Sequence, residues 1–186
     1  TAGDNFLGGD DLDKKIMDEM LHQFEKKHKM DLHEDPVALQ RVRSVAERAK
    51  CQLSSIDEVN ATLRELVTDR KGNKVDFTFN ITRRRFNELV APLIERTMAV
   101  CEEAMALAKL SVGDLDNIVL VGGSTRVPLV RQKVEEFFRR PPRTEVNPDE
   151  VVAIGAAINA FSLTQEPLDP TLTPVRKARV VSDPFA

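Results

Sequence analysis

Three side chains on one stretch, "VALQRVRSVAERAKCQLSS", could act together: Glu47, Lys50 and Ser54. The same stretch carries Val42, Val45, Ala46, Ala49 and Leu53 at helical steps. At about 100° per residue, the polar trio forms a second stripe beside that apolar one. A carboxylate, an ammonium and a hydroxyl then line the margin of a buried face over two turns. Spacing alone supports two readings: a ridge of donors and acceptors for a ligand, or an i,i+3 pair of Glu47 with Lys50 plus a C-terminal serine. The second contributes roughly a few tenths of a kcal/mol and is favoured on spacing alone.

A second constellation is "IVLVGGSTRVPLV", residues 118–130. An apolar run ends in Gly122-Gly123, continues as Ser124-Thr125-Arg126, and is followed by a Pro-led helical pattern. Two glycines let backbone N–H groups approach a ligand with no Cβ in the way. A helix behind them aims its positive end at the turn. The flat guanidinium of Arg126 can stack on a purine or pair with an anion. Asp149, in the first turn of a later helical pattern, offers an acceptor for hydroxyls. No lysine follows the glycines, so neither the P-loop nor the dinucleotide fingerprint applies. On these grounds alone a nucleotide site competes with plain strand–turn–helix packing, and packing is favoured.

These groups need elements to hold them. Gly8-Gly9 reads as a tight turn before a helix with Ile16, Met17, Met20, Leu21 and Phe24 on its apolar side. Asp10, Asp11 and Asp13 suit that helix's positive end and argue against a phosphate there. Asp35-Pro36 is a cap with proline in the first turn. Val59, Ala61 and Leu63 alternate with polar residues, as do Val75, Phe77, Phe79 and Ile81, and Gly72-Asn73 lies between them. That pattern predicts a β-hairpin with one face covered by helices. Thr82 should cap a long helix carrying Phe86, Leu89, Leu93, Thr97, Val100, Ala104 and Ala108, bent near Pro92.

"NIVLV", residues 117–121, reads as a strand buried on both faces. The helix begun at Pro128 carries Val130, Val134, Phe137 and Phe138, and Asn147-Pro148-Asp149-Glu150 resembles a capping box. Gly155-Ala156-Ala157 leaves no bulk, so the last helix can press closely on a neighbour. From residue 163 to 186 prolines recur without a usable period, which predicts a disordered tail or linker.

Composition excludes several classes. The 186 residues are 41% apolar and 31% charged with a net charge of -3, which gives no electrostatic ground for nucleic acid binding. Arg139, Arg140 and Arg143 form a small basic cluster that reads as a solvated loop. No apolar run approaches the roughly 20 residues of a membrane span, and no signal peptide is evident. Cys51 and Cys101 are isolated, which argues against zinc or a disulfide framework and for a cytoplasmic setting. His22, His28 and His33 read as solvated surface residues, so no metal site is expected. The first residue is Thr, so the chain is expected to begin inside a longer protein.

Five segments in order, "AGDNFLGGDDLD", "ERAKCQLSS", "ITRRRF", "IVLVGGSTRVPLV" and "VNPDEVVAIGAA", closely resemble the second lobe of the nucleotide-binding domain of the seventy-kilodalton, DnaK-type heat-shock chaperones. The resemblance covers roughly residues 1–161. It implies an α/β fold of the actin-like ATPase (ribonuclease H-like) class: a hairpin-and-helix upper subdomain over about 10–110 and a lower α/β subdomain over about 111–162. It also implies an ATP or ADP site at Glu47, Lys50, Ser54, Gly122, Gly123, Ser124, Arg126 and Asp149, and so reverses the ion-pair reading of the 47–50–54 stripe. The γ-phosphate and Mg²⁺ would be held by glycine loops upstream, which explains the missing lysine. One departure is Cys51, where eukaryotic relatives often carry an arginine that stacks on adenine.

The implied function is nucleotide-driven lobe closure coupled to protein folding in a full-length ATPase. This lobe alone would be catalytically silent. Its implied partners are the nucleotide, the first lobe, a nucleotide-exchange factor docking near the hairpin, and a J-domain co-chaperone. Two alternatives are a half of another actin-like or sugar-kinase-like ATPase, and a non-catalytic interaction module that kept the fold.

Overall fold

The computed structural model describes residues 2–143, 147 and 149–164. Two helices come first, α1 (Gly9–His28) and α2 (Pro36–Leu53), followed by strands β1 (Glu58–Thr68) and β2 (Lys74–Thr82). Helix α3 (Arg83–Ala108), α4 (Pro128–Phe138) and α5 (Val151–Thr164) complete the order, with short 3-10 turns at Val112–Asp114 and Gly123–Arg126.

Local chemistry accounts for most boundaries. The Asp35 carboxylate accepts from the amides of Val37 (3.0 Å) and Ala38 (2.9 Å), and Pro36 occupies the first turn of α2. Thr82 Oγ1 accepts from the amide of Arg85 at 3.2 Å and starts α3 directly from the end of β2. Lys29, Lys109 and Arg139 close α1, α3 and α4 in the left-handed conformation, without the glycine usual at that position. Pro92 lies inside α3, which runs through it.

The strands form an antiparallel hairpin with Val59 opposite Ile81, Ala61 opposite Phe79 and Leu63 opposite Phe77. The turn places Gly72 at φ 85° and is held by Asp69, which accepts from the amides of Lys71 and Asn73 at 2.8 Å each. The alternation breaks between Leu63 and Val67. There Glu65 adopts φ 47° and its amide reaches Asp76 Oδ1 at 2.6 Å, a bulge that lets the neighbours Leu66 and Val67 both be buried. Strict period-two reading stops at Leu63 because a bulge inverts the phase; β1 continues to Thr68.

One continuous core results. Val59, Leu63, Phe77, Phe79 and Ile81 pack against Ile16, Met20 and Phe24 of α1 and Val42, Ala46, Ala49 and Leu53 of α2. On α3 the most buried positions are Phe86, Val90, Ile94 and Thr97, while Leu89 and Leu93 flank them half-buried. Helix α4 contributes Leu129, Val130, Val134 and Phe138 and packs on α3.

Two expectations require correction. Residues 117–121 form no strand: Val119 makes a single parallel bridge to Arg143 and is 42% exposed. A strand buried on both faces needs ladder partners, and among the described residues Arg143 is the one that bridges to it. The Arg cluster is accordingly more than a solvated loop. The Arg143 amide donates to the carbonyl of Ile118 at 2.8 Å, its Nε to Asn117 Oδ1 at 2.7 Å, and Arg140 donates to the carbonyls of Leu115 and Asp116. The second concerns α5: among the described residues nothing lies within 4 Å of where a Cβ on Gly155 would stand, and Val152, Ile158, Phe161 and Leu163 are exposed.

Before α5, Asn147 Oδ1 accepts from the Asp149 amide at 3.1 Å; Pro148 lies outside the described residues. So does most of the predicted tail, residues 165–186.

Candidate functional site

Helix α2 ends at the mouth of a cleft of about 360 Å³. Lys50, Cys51, Ser54 and Ser55 line it from one side, and Gly123, Ser124, Arg126, Val127 and Arg131 from the other. The two constellations, about seventy residues apart in the chain, therefore face one space. That volume falls in the range of small-molecule sites, roughly 300–1,000 Å³. Three cationic side chains, several hydroxyls and the backbone of a glycine turn give it donors for an anionic, hydroxylated ligand.

Lys50 is held rather than mobile. Its Nζ donates to Asp13 Oδ2 at 2.8 Å and to the carbonyl of Gly9 at 3.2 Å. The partner of Lys50 is thus Asp13, 37 residues away, and the short-range pairing with Glu47 is superseded. Glu47 stays exposed one turn before Lys50, outside the residues that line the cleft. Its charge still acts locally: burial pushes the Asp13 carboxyl above the ordinary 3.8 against the pull of Lys50, and Glu47 and Asp10 push the same way.

The turn is braced from within. Gly122 sits at φ 88°, a conformation glycine adopts readily, and its carbonyl accepts from Thr125 Oγ1 (2.6 Å) and the Thr125 amide (3.1 Å). Arg131 Nε reaches back to the carbonyl of Thr125 at 3.0 Å. Gly122 itself does not line the cleft but sets the approach of Gly123. Arg126 pairs with Asp149, both about half exposed, which joins the turn to the start of α5. Ser54 lines the cleft, with its hydroxyl donating to the carbonyl of Lys50 at 3.4 Å.

Four contributors escape a reading of motifs. Gly9 reads as a tight turn, yet a Cβ there would stand 3.2 Å from Ser124 Oγ and 3.3 Å from Lys50 Nζ. Asp13 looks like a dipole carboxylate and proves to be Lys50's anchor. Ser55 and Arg131 carry no spacing signal, and only the cleft they share reveals them. Among the described residues no group of three His, Cys, Asp or Glu side chains is placed to hold a metal. His28 departs from the solvated reading: its ring stacks on Phe24 at 4.6 Å between centroids, and its Nε2 is buried without a hydrogen-bond partner.

Comparison with known proteins shows the family. A family model described as Hsp70 protein matches residues 1–173. The chaperone protein DnaK of Thermotoga petrophila is 48% identical over 163 residues, which cover 88% of this chain and 27% of that protein. The chain therefore spans about a quarter of the length of that relative. With a family match over most of its length, and with helices and a two-stranded sheet arranged as in a lobe of the actin-like nucleotide-binding fold, the chain belongs to the Hsp70 family.

Proposed function

We propose that this chain forms one wall of the ATP/ADP site of a chaperone ATPase. Lys50, Ser54, Gly123, Ser124 and Arg126 would contact the nucleoside and inner phosphates, Gly122 would shape the turn, and Glu47 and Asp149 would supply acceptors at the rim. The observation that carries this reading is the convergence of the α2 end and the GGSTR turn on one cleft with cationic and hydroxyl lining. Helices α1, α2 and α3 with the hairpin would form the upper part, about 10–110, and the glycine turn with α4 and α5 the lower, about 111–162, of a second lobe.

Arg126 lines the cleft, and its guanidinium would offer a stacking surface for a purine. Backbone donors at Gly123 and Ser124 can approach a phosphate oxygen closely. Mg²⁺ would be held with the γ-phosphate by the glycine loops that the family likeness implies upstream of this lobe. Catalysis of phosphoryl transfer depends on positioning of nucleophile and metal, so the chain alone would bind without turning over. In the full-length protein, nucleotide-dependent closure against a first lobe would be passed to client binding, with an exchange factor and a J-domain protein as partners in a cytoplasmic setting.

Titration of the chain with ADP, followed by backbone NMR, tests this. The expected result is binding weaker than about 1 µM, or less than about 8 kcal/mol, with shift changes concentrated at Lys50–Ser55 and Gly122–Arg131. Saturating ADP that moves none of these resonances, or that binds equally well to Lys50→Met and Arg126→Ala, overturns the reading.

A further inference from the structure

We propose that Asp13 is a positioning residue for the cleft: it orients the Lys50 ammonium so that a single N–H remains for the ligand. This deepens the nucleotide reading above and can fail separately from it. An ammonium has three donors. Two are engaged on the α1 side, at Asp13 Oδ2 (2.8 Å) and the Gly9 carbonyl (3.2 Å). The third is left on a residue that lines the cleft.

The arrangement is tightly bounded. The side chains of Lys50 and Asp13 are 16% and 9% exposed, so neither is a surface charge free to swing. Ser124 Oγ and Lys50 Nζ flank the same point beside the Gly9 Cα, which puts the ammonium next to the start of α1 and the glycine turn together. Asp13 Oδ1 is buried with no hydrogen-bond partner, so the carboxylate makes its one strong side-chain contact with Lys50. A flexible four-carbon stem would otherwise sample many rotamers; two anchors on α1 make it a fixed donor.

Two other carboxylates act on Asp13. Glu47 and Asp10 are both exposed, and each acts on Asp13 through space. Neither lies within ion-pair reach of Lys50, and Arg43 takes Asp10 at 3.3 Å. Asp13 is therefore the carboxylate that decides where the ammonium points.

The test combines a ligand-free and a ligand-dependent readout on Asp13→Asn, which keeps the shape and one acceptor oxygen. First, lysine acylation by acetic anhydride, read by mass spectrometry, should proceed several-fold faster at Lys50 in Asp13→Asn than in the wild-type chain, with exposed lysines such as Lys71 unchanged. Equal protection of Lys50 in both proteins overturns the proposal whatever the ligand does. Second, ADP affinity should fall about tenfold, near 1.4 kcal/mol, in Asp13→Asn, and by no further factor when the change is added to Lys50→Met. An equal loss in the Lys50→Met background means Asp13 acts other than through Lys50 and also overturns it. If wild-type chain binds no ADP while Lys50 acylation rises as expected, the positioning role stands and the nucleotide reading falls.

Discussion

Gly9 and Ser124, 115 positions apart, come so close that a single added carbon on Gly9 would lie 3.2 Å from the serine hydroxyl. The same carbon would lie 3.3 Å from Lys50 Nζ. The start of α1 thus abuts two residues that line the cleft, and the absence of a side chain there has a steric reason distinct from turn formation. Gly9→Ala should shift these two flexible ends by a few tenths of an ångström. Alanine is the better helix former by up to about 1 kcal/mol, so stability should hold or rise. Under the nucleotide reading, ADP affinity should nevertheless drop several-fold. A urea titration beside an ADP titration checks this, and unchanged affinity would contradict a role for the Gly9 contact in the site.

Cys51 is exposed and lines the cleft, whereas Cys101 is half-buried and burial holds its thiol above the ordinary value. Since the thiolate is the reactive form, iodoacetamide at mildly alkaline pH should label Cys51 first. Saturating ADP should slow labelling of Cys51 and leave Cys101 unaffected. Mass spectrometry of the two peptides over time reads both rates. Equal slowing at both cysteines would point to a general change in the fold in place of occupancy of the cleft.

Phe77 joins the hairpin to α1: it is 1% exposed and meets Phe24 edge-on at 5.3 Å. Phe77→Ala should cost about 3–5 kcal/mol, a large part of the roughly 5–15 kcal/mol of a typical domain. Urea denaturation should show a much lower midpoint or no native baseline. A loss below about 1 kcal/mol would mean that the hairpin is not seated on α1 as described.

The half-buried His28 has a proton affinity below the ordinary 6.5, first because burial disfavours the charged ring and second because Lys27 repels it. Unfolded chain therefore binds the proton more readily than folded chain. The contribution of His28 to stability is fully present above pH 6.5 and is lost as pH falls through its lowered folded value. His33 acts with opposite sign, since Asp31 raises its affinity: that stability is present below 6.5 and is lost as pH rises through the raised value. His28→Phe should flatten the acid side of the stability profile below pH 6.5 relative to wild type. Identical acid limbs for the two proteins would refute the assignment.

Much of the framework is legible residue by residue. Asp35-Pro36, Thr82 and Gly72 announce their caps and turn because the interactions they make span two to four residues. The apolar periods of α1, α2, α4 and β2 name most of the core for the same reason, since period and face are local properties of helix and strand. Ranking on α3 is less clear: Val90 and Ile94 are the buried pair, with Leu89 and Leu93 beside them, because α1, β2 and α4 all pack on this helix and together select within a broad apolar stripe.

Local pattern sets which segments become helices and hairpin, and five ordered motifs carry the family likeness and the two halves of the cleft. Packing alone sets that Lys50 is held by Asp13 and not Glu47, that Gly9 abuts Ser124, that Arg131 shares the cleft, and that Glu65 opens a bulge. Among the described residues it gives 117–121 one bridge, from Val119 to Arg143. The division has a physical reason. Caps, turns and periodic faces depend on neighbours a few residues away, whereas ion pairs, steric limits and strand pairing depend on which surfaces meet after helices and hairpin have packed.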